Sequence, residues 1–496
     1  MKTNQFCYTV TMLSSLFSLA ITTPVMADSI DNFLNKMIAK GLLTEEEGAA
    51  LVKDHADEKA VTEDKKKTEI TASFKDGIGF ASADGNHAFS VNGRIQADYR
   101  SYANNDAQNV DTIELRRAFL TAKGKMYKYY DFNVTADFAQ GANGASTGTN
   151  QLDVAYFGIN WWDQAKFRFG QFDMPFGLEH VTADIFLDLQ ERGFADALAP
   201  GKERGAMVHG KPITGVYYGL AASTGRGKNV NNTDNQVDGI DVIGRVSTNF
   251  AEIIGNPNAV YHLGVDYSQG DVSPNQASSS SALANNTFKA ASGTTEARGI
   301  KFFDPSAFTA VAGDSLTRKR YGLESAIAYG PVKFQAEYFS HNYQGKNALN
   351  TAYDKDLSAW YAGVSWMLTG EKFASAYKDG AWGRLKPNKN FDLGSGSGFG
   401  AVELSVRYSD FSAKDFAYNA APSQVGTGIV LSGAPTGAHA WTVGVQWLIN
   451  PNTHLIANYV DTRFTDGAVA YKNNQGAPAG TTDQEKAVTL RAQFDF

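Results

Sequence analysis

From about Ala88 to the end of the chain, apolar and polar residues trade places at every step, and a period of two predicts β-strands rather than helices. In residues 88–99, Phe89, Val91, Ile95, Ala97 and Tyr99 fall on one face, and Ser90, Asn92, Arg94, Gln96 and Asp98 on the other. Tyr130, Phe132, Val134, Ala136 and Phe138 alternate with Asp131, Asn133, Thr135 and Asp137. The last eleven residues repeat the pattern: Val488, Leu490, Ala492, Phe494 and Phe496 oppose Thr489, Arg491, Gln493 and Asp495. One such strand suits a soluble sandwich equally well, so number and regularity decide. Sixteen candidate strands can be marked, at 88–99, 112–123, 129–139, 151–161, 165–172, 204–211, 214–223, 239–248, 259–268, 320–329, 332–341, 357–368, 399–409, 440–449, 453–463 and 486–496. An even number lets an antiparallel barrel close with both ends on one side. The expected fold is therefore an all-β membrane protein, a 16-stranded antiparallel transmembrane β-barrel.

The connections support this reading. Gly330-Pro331 and Asn450-Pro451-Asn452 are tight turns, and the long connections (100–111, 141–150, 173–203, 224–238, 269–319, 342–356, 410–439 and 464–485) alternate with short ones. Short turns on one side and long loops on the other are the asymmetry of outer-membrane barrels. Residues 369–398 break the parity: about thirty residues stand where a short turn is due, so either the local strand count is wrong or an element inserts on the short-turn side. Tyr99, Tyr129, Tyr130, Trp161, Trp162, Tyr267, Tyr329, Trp360, Trp447, Tyr459 and Phe496 lie at or near strand ends, where aromatic rings favour the interface between hydrocarbon and headgroups. The 173–203 connection carries Met174, Phe176, Leu178, Ile185, Phe186, Leu187 and Phe194. Such a loop is expected to fold against the inner wall rather than wave in solvent. Asp173, Arg192, Lys202 and Arg204 would then lie near a constriction.

Ahead of the barrel the period changes. Residues 1–27 read as a secretory signal peptide, with Lys2, an apolar core from Val10 to Ile21 and the small-residue site Val25-Met26-Ala27. Residues 28–60 are expected to form a short periplasmic helical segment, either a surface hairpin or a self-associating stalk. In it Thr44 and Glu47 make a capping box. Residues 61–87 read as a charged linker and lead-in to the barrel at 88–496.

Composition narrows the class. Past the N-terminus no apolar run approaches the roughly eighteen residues of a spanning helix, and mean hydropathy is −0.31. The single Cys7 falls inside the leader, so no disulfide is expected in the mature chain. A formal charge of −7 argues against nucleic acid as a partner. Eight His residues show no metal-ligand spacing, and no nucleophile motif is present. No cofactor, metal or catalytic group is expected, and the chain is not expected to be an enzyme. A barrel lipase would need a Ser and a His on the lipid-facing rim, and neither is found.

Basic residues on polar faces form the better constellation: Arg94, Arg168, Arg245, Lys333, Arg407 and Arg491. Permanently charged guanidinium forks suit oxyanions, and rings of them select anions in pores. Arg116 and Arg117 are adjacent, so they point to opposite faces unless a bulge intervenes. The same faces carry many carboxylates, Asp98, Glu114, Asp153 and Glu324 among them, so the arginines could equally pair across the lumen.

GRIQADY at 93–99, ELRRAFLTAKGKMY at 114–127, GQFDMPFGLE at 170–179, ERGFADALAPGKERG at 191–205, WMLTGE at 366–371 and VELSVRYSDF at 402–411 resemble the phosphate-selective porin O and P family. The resemblance runs from about residue 30 to the end. It implies a bacterial outer-membrane homotrimer, embedded in lipid, with an inward-folded third loop and a lumen passing small inorganic anions such as phosphate or polyphosphate. It implies an anion site at Arg94, Arg116 and Arg117, with Lys123, Lys125 and Asp153 as weaker matches. Asp173 stands where the family pattern leads one to expect Lys, which weakens the anion expectation and keeps a general or sugar-selective porin open. An adhesin built on the long loops is a third reading.

Overall fold

The structure, a computed structural model, describes residues 33, 36–44, 46–54, 69–74, 77–103, 111–139, 151–225, 227–229, 240–271, 287–288, 290–306, 308–309, 316–346, 352–418, 428–472 and 478–496. The expected leader at 1–27, residues 28–32, 34–35, 45 and 55–60 of the expected helical segment and residues 61–68 and 75–76 of the linker lie outside them. The chain divides into two units, residues 1–71 with 81–85 and residues 72–80 with 86–496. In the first, residues 36–39 and 46–54 are helical. Glu47 Oε2 accepts the Thr44 N–H at 3.0 Å and Thr44 Oγ1 accepts the Glu47 N–H at 3.2 Å, so the capping box forms in both directions.

The second unit is a barrel of sixteen antiparallel strands. In chain order they are β1 (Ala88–Tyr102), β2 (Thr112–Met126), β3 (Tyr130–Asp137), β4 (Gln151–Trp162), β5 (Ala165–Asp173), β6 (Lys202–Ile213), β7 (Val216–Ser223) and β8 (Asp241–Asn249). There follow β9 (Ala259–Asp271), β10 (Thr317–Tyr329), β11 (Val332–Lys346), β12 (Ala352–Met367), β13 (Ala401–Ser412), β14 (Gly437–Asn450), β15 (Thr453–Thr465) and β16 (Gln484–Asp495). Each strand pairs with its sequence neighbours, and β16 closes the cylinder on β1 from Ala487↔Tyr102 to Asp495↔Arg94. All sixteen expected strands are present, and the parity argument holds.

The wall is inverted relative to a soluble protein. Along β16, Val488, Leu490 and Phe494 are exposed while Thr489, Arg491, Gln493 and Asp495 are buried. Lipid accepts the outer face and the lumen satisfies the inner one, as closed membrane barrels require. Exposed Tyr130, Trp161, Trp162, Tyr267 and Tyr329 supply outward aromatic rings toward strand ends, the position expected of interfacial anchors, whereas Tyr459 is exposed at the middle of β15.

Two long connections fill part of the interior. Residues 174–201, after β5, bury Met174, Phe176 and Leu178 completely. The Phe176 ring meets Phe339 at 5.0 Å and Phe194 meets Phe302 at 5.6 Å. The connection between β9 and β10 contributes Ile300, Phe302 and Phe303 to the same apolar cluster. This plug holds one side of the lumen, and Gly177 marks how tightly it seats. Its φ is +74°, and a Cβ there would lie 2.5 Å from the Phe339 ring, so only glycine fits.

The parity exception resolves without a change in strand count. Between β12 and β13 the chain turns inward through a 3-10 turn, Phe373–Ala376, and a small hairpin, Tyr377–Lys378 with Ala381–Trp382. Trp382 is buried: its Nε1–H donates to Gln335 Oε1 at 2.7 Å and its backbone N–H to Thr182 Oγ1 at 3.3 Å. Arg245 donates to the Gly380 carbonyl at 2.9 Å. The insertion therefore enters the lumen from the short-turn end and touches the inner loop that descends from the other.

Candidate functional site: a cationic cavity beside the inner loop

Beside the apolar plug the lumen keeps a cavity of about 1090 Å³. Its walls come from β1–β6, the inner loop, the β7–β8 connection, the insertion and the end of β16. Among the described residues they carry ten cationic side chains, Arg94, Arg116, Arg117, Lys123, Arg192, Lys202, Lys228, Lys378, Arg384 and Lys386, against five carboxylates, Asp137, Asp153, Asp173, Asp184 and Asp495. The chain is acidic overall, yet this passage is basic. Two unit charges about 4 Å apart interact by about 4 kcal/mol at an effective dielectric near 20, so an excess of this size sets up a positive potential in the cavity.

The β1–β2 register explains the arginine pair. Gln96 faces Arg117 and Ala97 faces Leu115, which leaves Arg116 as an extra residue in a bulge. The bulge brings adjacent arginines to one cavity, where strict alternation would have sent one of them to lipid. Arg117 donates to Gln96 Oε1 at 2.8 Å, and Arg94 lies 4.0 Å above the Phe119 ring. Both also bind Asp184 of the inner loop, Arg94 at one carboxylate oxygen and Arg117 at the other. Arg116 binds Glu191 at 2.9 Å, and Arg491 binds the same carboxylate at 2.9 Å.

Electrostatics follow this pairing. Burial alone would raise the Asp184 carboxyl, but Arg117 and Arg94 overcome it and hold Asp184 well below the usual carboxylate range. Glu191 is likewise buried and held low by Arg116 and Arg491. Glu179 behaves differently. Burial pushes it up to about 7 although Arg407 lies 3.0 Å away.

The other expected residues separate into groups. Lys123, Asp153, Asp173, Arg192 and Lys202 line the cavity with the three arginines. Lys202 bridges Asp153 at 3.3 Å and Asp173 at 3.2 Å, so the acid at 173 is answered by a base in the neighbouring strand. Arg192 serves the loop's own backbone, donating to the Glu179 carbonyl at 3.0 Å and the Thr182 carbonyl at 2.8 Å. Lys125, Arg168, Arg204 and Arg245 do not line the cavity. Arg168 lies 4.2 Å over Tyr156, and Arg204 donates to Gln171 at 3.4 Å. Arg245 is buried against Glu324 through two bonds of 2.7 Å. An inward-facing arginine is thus not always an accessible one.

Sequence reasoning missed Asp184 and Glu191, whose arginine partners lie on strands distant in the chain. It also missed Lys228, Lys378, Arg384 and Lys386. The parity break at 369–398 was the available signal for the last three.

The family description "Phosphate-selective porin O and P" matches residues 89–496 of the chain. Porin O of Pseudomonas aeruginosa is 27% identical over 448 residues, covering 86% of this chain and 93% of that protein. Among solved structures, the anion-selective porin from Comamonas acidovorans is similar at 10% identity and a TM-score of 0.48, over 83% of this chain and all of that one. The outer membrane channel DcaP of Acinetobacter baumannii is similar at 10% identity and a TM-score of 0.47, over 84% of this chain and 99% of that one.

Proposed function

This chain belongs to the phosphate-selective porin O and P family, and from that premise we propose that its outer-membrane barrel is a diffusion channel preferring small oxyanions, inorganic phosphate first among them. The observation that carries the reading is the cavity's ten cations against five carboxylates. Phosphate and other anions entering it meet guanidinium groups that present paired N–H donors. The β1–β2 bulge sets two of these side by side, and a third reaches them from β1. Lys123 and the insertion's Lys378, Arg384 and Lys386 extend the basic surface along the cavity wall, a series of weak sites suited to passage rather than capture.

The same reading takes the protein as a channel rather than an enzyme, working as a homotrimer in lipid. The inner loop supplies the narrowing, with Asp173, Arg192 and Lys202 at its margins. A general or sugar-selective porin would not need the basic excess.

Single-channel chloride current titrated with inorganic phosphate in planar bilayers tests the proposal. Phosphate should reduce the wild-type current in a saturable way, and Arg116→Ala should raise the half-blocking concentration about tenfold, the size expected for one lost charge-assisted contact. Chloride current indifferent to phosphate in the wild type would refute the reading.

A further inference from the structure

The two arginines best placed to hold an oxyanion already hold one, and it belongs to the protein. Asp184 opens the 3-10 turn Asp184–Phe186 of the inner loop. One of its carboxylate oxygens accepts from Arg94 Nη1 and the other from Arg117 Nε, which is how two oxygens of a bound phosphate would bridge two guanidinium groups. The group is only 9% exposed, yet it lines the cavity with both of its partners. Its position is fixed from several sides. The Phe186 N–H donates to the Ala183 carbonyl at 2.8 Å, and the Arg384 guanidinium lies 5.4 Å over the Phe186 ring. Arg192 ties the preceding turn at the Thr182 carbonyl.

We propose that Asp184 is a tethered counter-anion that competes with permeating phosphate for Arg94 and Arg117 and so sets the channel's affinity. This inference rests on the oxyanion path proposed above and adds its control element. A carboxylate on a short anchored loop presents a high effective concentration to its two partners, so a diffusing anion must displace it. A phosphate carries more charge and more acceptor oxygens than a carboxylate, and can win; a weaker acceptor cannot. Each bound ion leaves again when Asp184 returns. Binding stays weak enough for exit, as conduction requires. Glu191 treats Arg116 and Arg491 in the same way, but it also joins a third arginine, Arg100, at 3.3 Å. Among the described residues, Asp184 forms ion pairs with the cavity pair alone.

The test compares chloride currents titrated with inorganic phosphate for wild type, Asp184→Asn, Asp184→Ala and Asp184→Glu in planar bilayers. Asp184→Asn and Asp184→Ala should lower the half-blocking phosphate concentration about tenfold or more and raise the chloride-over-potassium permeability ratio. Asp184→Glu keeps the charge and should stay within about threefold of wild type. If both neutral variants remain anion-selective with an unchanged half-blocking concentration, Asp184 is not a competitor, while the oxyanion path stands. If wild type itself shows neither anion selectivity nor phosphate block, the path fails and this inference fails with it.

Discussion

Arg491→Ala is expected to lower the unfolding free energy of the barrel by about 3–5 kcal/mol, the cost of leaving buried carboxylates without their partner. The guanidinium is 1% exposed and binds Asp98 through contacts of 2.7 and 2.9 Å. It also bonds Glu191 at 2.9 Å and donates to the Gln190 carbonyl. It therefore joins the closing strand β16 to β1 and pins the inner loop to both. Arg100 also bonds Asp98, at 2.7 Å, and Arg116 remains on Glu191, so the loss should fall toward the lower end of that range. Chemical unfolding in detergent micelles, followed by tryptophan fluorescence, gives the number. A loss below about 1 kcal/mol would mean that water already screens the cluster.

Replacing residues 371–399 by a short turn is expected to enlarge single-channel conductance severalfold and to weaken anion preference. The insertion brings Phe373 and Trp382 into the lumen as buried side chains and adds Lys378, Arg384 and Lys386 to the cavity wall. Its removal opens space and deletes three of the ten cations there. The polar side chains that it covers, Gln335, His262 and Lys333, would face lumen water, which satisfies them at little cost. The strand ladder itself does not depend on the insertion, because β12 and β13 pair from Ser358↔Ser412 to Met367↔Glu403. Unchanged conductance would show that the insertion does not narrow the conducting path.

The strands were legible because a wall between lipid and water writes its two faces into alternate residues, and sixteen repetitions of that alternation leave little room for another fold. The inner loop was legible from its own composition: Met174, Phe176 and Phe194 need an apolar partner, and Phe302, Phe339 and Phe411 supply it, while Leu178 packs with Met367, Phe373 and Trp382. The insertion was visible only as a violation of parity. A lumen-filling segment mixes aromatic and charged residues without a period, so nothing in residues 369–398 announces where they go. Alternation likewise says that Arg94 and Arg245 both face inward, but not that Arg94 reaches a cavity while Arg245 is sealed against Glu324. The pairing of Arg94 and Arg117 with Asp184 depends on how a distant loop folds back, information that strand periodicity does not hold. The adjacent Arg116 and Arg117 posed a question that the bulge answers.

The zero-current potential of wild-type channels across a potassium chloride gradient is the most direct test of a basic passage through an acidic protein. The cavity's excess of cations predicts the sign of a chloride-selective membrane, fading toward the bulk mobility ratio as salt rises and the Debye length shrinks from about 10 Å at 0.1 M to about 3 Å at 1 M. A potential of potassium-selective sign at low salt would contradict the account.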